Sequence, residues 1–147
     1  MEKYTIDMDF EIRNININDY TNYKKVFLQL ENTIDFSETK FKNILNKIKE
    51  QNSYILVVTH NDIIIGTCKI LIEYKFGNNK AYIDDLIVDN NHKNKKIGTM
   101  LLKKCIDIAR ENNCYIIRLV SNVDVINFYL KNDFEQSSKF TMEYKKL

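Results

Sequence analysis

Proline is absent from this 147-residue chain and glycine occurs only 3 times, where average usage would supply about seven prolines and about ten glycines. Without proline there is no proline-rich linker and no type VI turn. Gly66, Gly77 and Gly98 stand too far apart to build a Walker-type phosphate loop or a GxGxxG dinucleotide fingerprint, which need closely spaced glycines. Cysteine is scarce as well. Cys68, Cys105 and Cys114 are odd in number and form no CxxC pair, so they read as reduced, mostly buried thiols of an intracellular protein. The two histidines, His60 and His92, are far apart and suggest neither a metal cage nor a Ser-His-Asp triad. The longest apolar run, Tyr54 to Val58, falls far short of the ~20 residues of a membrane helix. Near the start, Glu2, Asp7, Asp9 and Glu11 interrupt any apolar stretch, so no signal peptide is expected and the expected location is cytoplasmic.

What is present is the composition of a folded domain, with 44% hydrophobic and 29% charged residues. A single domain over residues 1–147 is expected, a size at which roughly 70% of the unfolded chain's surface is buried. The net charge of +2, from 22 basic and 20 acidic residues, gives no global field toward nucleic acid or membrane.

Periodicity orders the elements. Phe10 to Ile15 alternates as a strand, and Asp19 to Leu30 repeats apolar residues at helical spacing. Ser37 is placed to cap a second helix carrying Phe41, Ile44, Leu45 and Ile48. Tyr54 to Thr59 and Ile63 to Glu73 read as a hairpin about Asn61-Asp62, with Gly66 marking a bulge or a close approach. Ala81 to Val88 is a further strand. A helix from Ile97 to about Asn112 places Ile97, Leu101, Leu102, Cys105, Ile108 and Ala109 on one side. Tyr115 to Val120 is a strand, Val123 to Lys131 a helix capped by Asn122, and Phe140 to Tyr144 a last strand. The order β-α-α-β-β-β-α-β-α-β describes an α/β sheet flanked by helices.

Chemistry concentrates after Ile83. A strand, Ile83-Asp84-Asp85-Leu86-Ile87-Val88, feeds a basic loop and then a helix start at Ile97-Gly98-Thr99. Unpaired backbone N–H groups and the positive end of the helix dipole make such a junction an anion site. Lys93, Lys95 and Lys96 add charge, and Gly98 is read as allowing close backbone approach to the bound group. Asp84 and Asp85 are adjacent on a strand, so their side chains leave opposite faces and one is expected in a cleft.

These residues resemble the acetyl-CoA motif Q/R-x-x-G-x-G/A of the GNAT acyltransferase superfamily. Lys93 stands at the Gln/Arg position, Lys96 at the first glycine, and Ile97-Gly98 agree. Downstream, Asn122 to Phe134 is similar to N-x-x-A-I-x-F-Y-x-K-x-G-F: Asn122, Ile126, Phe128, Tyr129, Lys131 and Phe134 match, with Val125 and Asp133 at the Ala and Gly positions. Within the superfamily the chain resembles the eukaryotic glucosamine 6-phosphate N-acetyltransferases through Leu71 to Phe76, Ile83 to Leu86, Asn113 to Tyr115 and Phe140 to Lys146.

The resemblance implies a single GNAT domain with a mixed, mainly antiparallel sheet and helices on both faces. It further implies acetyl-CoA as cosubstrate, direct attack by an amine in a ternary complex, and a product in the route to UDP-N-acetylglucosamine. Leu86, Ile87 and Val88 would pair with the pantetheine arm and polarise the acetyl carbonyl. Lys93, Asn94, Lys95, Lys96, Ile97, Gly98 and Thr99 would hold the pyrophosphate, with Asn122 contributing to the cofactor site. Tyr129 would protonate the departing thiolate. Asp84 would act on the substrate ammonium, with Asp85, Leu86 and Glu31 near the sugar and Lys75 and Lys145 near its phosphate. Lys145 would reach the site from a second subunit of a homodimer with exchanged C-terminal strands. Glu31, Ile116 and Val120 replace a hydroxyl residue, a lysine and an acid of that family. Two alternatives stay open on the residues: a different amine acceptor, such as a protein N-terminus, lysine or polyamine, and a non-catalytic acyl-CoA-binding module.

Overall fold

Asn61 and Asp62 both take left-handed backbone, at φ 49° and 64°. That is what the two central residues of a type I′ turn require, and here they join β2 (Ser53–His60) to β3 (Ile63–Glu73). The computed structural model describes residues 9–147. β1 (Phe10–Asn14) pairs antiparallel with β2, and β4 (Asn79–Val88) antiparallel with β3. β5 (Cys114–Arg118) runs parallel to β4 after the crossover helix α3 (Ile97–Glu111), so the sheet order is β1-β2-β3-β4-β5. Val58 pairs with Gly66 but Thr59 with Ile64, leaving Ile65 as the extra residue of a bulge. Beside it, a Cβ on Gly66 would lie 2.8 Å from Cγ2 of Ile97, so the expected bulge and the expected close approach coincide.

The first helix, α1 (Tyr20–Phe27), is shorter than its periodicity suggested, because Gln29 and Leu30 turn back onto Val26 and Phe27 carbonyls. It is entered through a 3-10 turn in which the Asn16 side chain accepts from the Asn18 N–H and Asp19 accepts from the Asn16 N–H. Arg13 on β1 donates two hydrogen bonds to the buried Asp19, at 2.7 and 2.9 Å, tying the sheet to that turn. α2 (Glu38–Glu50) starts where expected, with Ser37 Oγ accepting from the Lys40 N–H. Phe41 and Leu45 are buried and Ile44 stays exposed.

The two helices α1 and α2 cover one face of the sheet through Tyr23, Val26, Phe41 and Leu45 on Val57 and Ile64. The opposite face is covered by α3, whose six expected core residues are all buried. Burial of Leu101 and Leu102, each below 2% exposed, stabilises the fold by roughly 1.5–3 kcal/mol per side chain. Cys68 and Cys105 meet between sheet and helix as free thiols, Sγ to Sγ 3.4 Å. No helix among the described residues is long and apolar enough to cross a membrane.

Two expectations are corrected. Phe140 to Tyr144 is not a strand: the segment has no regular structure, with Phe140, Met142 and Tyr144 exposed, because no described strand lies beside it to form a ladder. Asn122 does not cap by its side chain. The chain enters α4 (Ile126–Leu130) through a 3-10 turn over Val123–Val125, and the Asn122 carbonyl accepts from the Val125 N–H instead.

Candidate active site

The site begins with a fault in β4. Lys69 pairs with Asp84 and Thr67 with Ile87, so Asp85 and Leu86 together oppose Cys68. Asp85 absorbs the extra residue in left-handed backbone, φ 51°. On its other side β4 pairs with β5 only from Asn79 to Tyr82, and beyond Tyr82 the two parallel strands part. The β5-facing backbone edge from Ile83 to Val88 is therefore without a ladder partner, and a cleft of ≈ 1010 Å³ opens at the splay. An unpaired strand edge seeks hydrogen bonds, and an extended amide-bearing chain satisfies them. Leu86, Ile87 and Val88 lie on this edge, half-buried.

Beyond β4 the loop is tightly organised. Asp89 accepts hydrogen bonds from Gln29 Nε2 (2.8 Å) and from the Asn91 N–H (3.1 Å), and meets His92 Nδ1 at 2.7 Å. The Gln29 and His92 contacts, with the Asn91 N–H, hold its carboxyl below the usual range against the opposing effect of burial. Gln29 Oε1 also accepts from the Asn90 N–H, so the residue after α1 grips the loop from both sides. Asn94 and Lys96 are left-handed, at φ 65° and 61°, and Lys96 is the residue from which α3 starts. Lys93, Asn94, Lys95 and Lys96 are exposed, Thr99 is half-buried, and Ile97 points into the core. The N–H groups of the first helical turn have no carbonyl one turn earlier to bond, so they face outward at the positive end of a 15-residue helix.

Gly98 has a different reason from the one expected. Its φ is unexceptional, and a Cβ there would come 2.9 Å from Cζ of Phe128. The missing side chain lets α3 pack on the Phe128 ring of α4. That packing sets the next residue, Tyr129, whose ring sits edge-on between Phe128 and Phe134 at centroid distances of 5.1 and 5.9 Å. Tyr129 lines the cleft with Asp84. Burial first, then the nearby Cys68 thiol and the Asp84 charge, push the Tyr129 phenol up from its usual range, so it keeps its proton at neutral pH.

Asp84 is exposed in the cleft, and its Oδ1 accepts the Asp85 N–H at 3.1 Å. Asp85 lines a separate cavity under α1 and α2. Burial, reinforced by the Asp84 charge and only partly offset by Lys69, pushes the Asp85 carboxyl up. Glu31 lies in the segment after α1, bonded by Thr33, and Lys75 and Lys145 are exposed beside Glu73 (3.8 Å) and Glu143 (3.0 Å). None of these three lines the cleft, nor does Asn122. The cations that do line it are Arg118, at the end of β5, and Lys139. Strand alternation was the available signal for Arg118, since it shares a face with Ile116 and Val120. Nothing in the local pattern marks Lys139, which the chain's return past α4 brings to the cleft.

Residues 12–134 match the Acetyltransferase (GNAT) family. The chain belongs to that family. GNAT enzymes use acetyl-CoA as cosubstrate, and the splayed edge, basic loop and helix start described above suit an elongated pantetheine arm ending in a pyrophosphate. Over 138 residues the chain is 26% identical to Glucosamine 6-phosphate N-acetyltransferase 1 of Dictyostelium discoideum, covering 89% of this chain and 88% of that protein. The fold is also that of glucosamine-6-phosphate N-acetyltransferase from Arabidopsis thaliana, with TM-score 0.84, 24% identity and coverage of 92% and 97%. A predicted acetyltransferase from Clostridium acetobutylicum solved with acetyl-CoA shares the fold at TM-score 0.74 and 20% identity, covering 92% and 96%.

Proposed function

We propose that this GNAT protein transfers acetyl from acetyl-CoA to the amine of glucosamine 6-phosphate, by direct attack in a ternary complex. The observation that carries acetyl transfer is the splayed cleft, which opens where β4 loses its β5 partner and is lined by Asp84 and by Tyr129, whose phenol keeps its proton. The thioester sits along that edge, its carbonyl oxygen accepting a backbone N–H from Leu86 to Val88, which stabilises the negative charge formed on attack. The pyrophosphate lies on Lys93 to Thr99. The amine nitrogen bonds to the carbonyl carbon while Asp84 takes its proton, directly or through one water. As the C–S bond breaks, the Tyr129 hydroxyl gives its proton to the CoA thiolate.

The sugar phosphate as acceptor is supported by the relatives' names and by a cleft that carries two cations, Arg118 and Lys139. The protein acts as a homodimer whose partner supplies the C-terminal segment, and with it Lys145, to this cleft. It works in the cytoplasm, where its product enters the route to UDP-N-acetylglucosamine.

Purified protein supplied with acetyl-CoA and a panel of amines tests the reading. CoA release is expected with glucosamine 6-phosphate and not with glucosamine. Release only with other amines removes the sugar phosphate and leaves acetyl transfer standing. Tyr129→Phe is expected to lower kcat by about 100-fold with KM for acetyl-CoA unchanged. CoA binding without turnover on any amine would instead identify a binding module.

A further inference from the structure

Two cations line the cleft, and only one of them can act as a nucleophile. The Arg118 guanidinium keeps its charge, whereas Lys139 carries a primary amine and is the one lysine lining this cleft among the described residues. It shares the cleft with Asp84 and Tyr129, the base and the acid of the proposed transfer. Phe134 fixes the chain beside the site: its N–H donates to the Tyr129 carbonyl at 3.1 Å, and its ring meets the Tyr129 ring at 5.9 Å. From Phe134 to Lys139 the chain forms neither helix nor strand, and residues 135–139 are exposed. Ser137 Oγ accepts the Lys139 N–H at 3.0 Å, while the Lys139 side chain has no hydrogen bond or ion pair among the described residues. Its amine is therefore held by nothing except the tether. A tether this short spans at most about 17 Å, which keeps the amine near Tyr129 at an effective concentration on the order of millimolar. Such an amine competes with any free acceptor.

We propose that Lys139 is a self-acetylation site, taking the acetyl group of acetyl-CoA bound in its own cleft when no other amine is there. The Lys139 ammonium gives one proton to Asp84, which passes it to solvent. The freed Nζ lone pair bonds to the thioester carbonyl carbon, and the C–S electron pair leaves with sulfur, which takes the Tyr129 proton. The second proton lost by nitrogen restores Tyr129. The products are Nε-acetyllysine, the CoA thiol and one proton in solvent. Acetylation removes a charge, so the cleft is left with Arg118 alone as its cation. A sugar phosphate in the cleft covers Lys139 and outcompetes it, so the modification accumulates when acetyl-CoA is plentiful and acceptor scarce. It then weakens the site for anionic acceptors. The modification rests on the acetyl-transfer half of the proposed function, and its effect on turnover rests on the sugar phosphate as well.

Mass spectrometry of the full chain incubated with acetyl-CoA and no added amine tests it. The intact mass is expected to rise by one acetyl group, located at Lys139 by peptide mapping, with a first-order rate constant independent of protein concentration. Tyr129→Phe is expected to slow the modification by about 100-fold, which uncatalysed acetylation of a surface amine would not show. Lys139→Arg is expected to take up no acetyl group. Glucosamine 6-phosphate in the incubation is expected to retard the modification, and protein acetylated beforehand to show KM for glucosamine 6-phosphate raised by about tenfold with kcat little changed. Absence of acetyl from Lys139 overturns the inference, whether or not glucosamine 6-phosphate turns over. So does acetyl spread evenly over the surface lysines, or a rate that Tyr129→Phe leaves unchanged. Acetylated Lys139 in protein that does not turn over glucosamine 6-phosphate removes the proposed acceptor and leaves the modification standing.

Discussion

Left-handed backbone is taken in this protein by Asn52, Asn61, Asp62, Asp85, Asn94, Lys96, Asn113 and Asp133, and by no glycine among the described residues. Asparagine and aspartate tolerate that region because their short side chains can bond locally, and this is how a chain with 3 glycines still turns. Lysine lacks that compensation, so Lys96 carries more of the steric cost. Lys96→Gly is expected to raise stability by about 0.5–1 kcal/mol, whereas Gly98→Ala is expected to lower it by about 1–3 kcal/mol by driving a methyl into Phe128. Urea midpoints at constant m-value measure both. Asp19 sets the acid limit. Burial opposes its ionisation, but the Arg13 hydrogen bonds, the Asn16 N–H and the Arg13 charge outweigh that and lower its pKa in the fold. Its stabilisation is complete above the unfolded carboxyl value of about 4 and is lost as pH falls through the lower folded value. Asp19→Asn is expected to cost about 1.5–3 kcal/mol at neutral pH, with the difference from the parent shrinking toward pH ~2 in urea titrations.

Among the elements, the loop between β4 and α3 is where packing from elsewhere shapes the proposed cofactor site. Gln29, just past α1, holds Asp89 and the Asn90 N–H, and Asp89 in turn holds His92. Removing that grip leaves the basic residues in place but lets the loop carrying them move. Gln29→Ala is therefore expected to raise KM for acetyl-CoA by about tenfold with kcat nearly unchanged, and Gln29→Glu, which keeps only the acceptor, should recover little. Steady-state kinetics with acetyl-CoA as the varied substrate measures it. This clamp was invisible in sequence, since its members lie 60 positions apart and belong to no shared period. The helices and strands themselves were legible because each shows a face: the buried side of α3 follows from spacing alone, and the I′ hairpin from Asn61-Asp62. The bulge at Asp85 was not, because an extra residue in a strand changes the pairing and leaves the composition untouched.

For the whole molecule, the C-terminal segment matters most. Phe140, Met142 and Tyr144 alternate as a strand would and stand exposed, and residues 134–141 line the cleft. In the proposed homodimer these side chains are covered by the partner. Sedimentation equilibrium is expected to give a dimer mass. A chain truncated after Lys139 is expected to sediment as a monomer with at least about 100-fold lower turnover; a monomeric full-length chain that turns over normally would refute the exchange.

By itself the sequence determined the element order as far as α4, the buried face of α3, the family signature from Asp85 to Gly98 and the Asn122 to Phe134 match, because periodicity and motif spacing are local properties. Only the tertiary structure decided that β4 and β5 part after Tyr82, that Asp84 and Asp85 serve different cavities, and that Arg118 and Lys139, rather than Lys75 and Lys145, reach the cleft within one chain. Those facts depend on which strands meet and where they separate, a matter of long-range pairing that no stretch of residues carries alone.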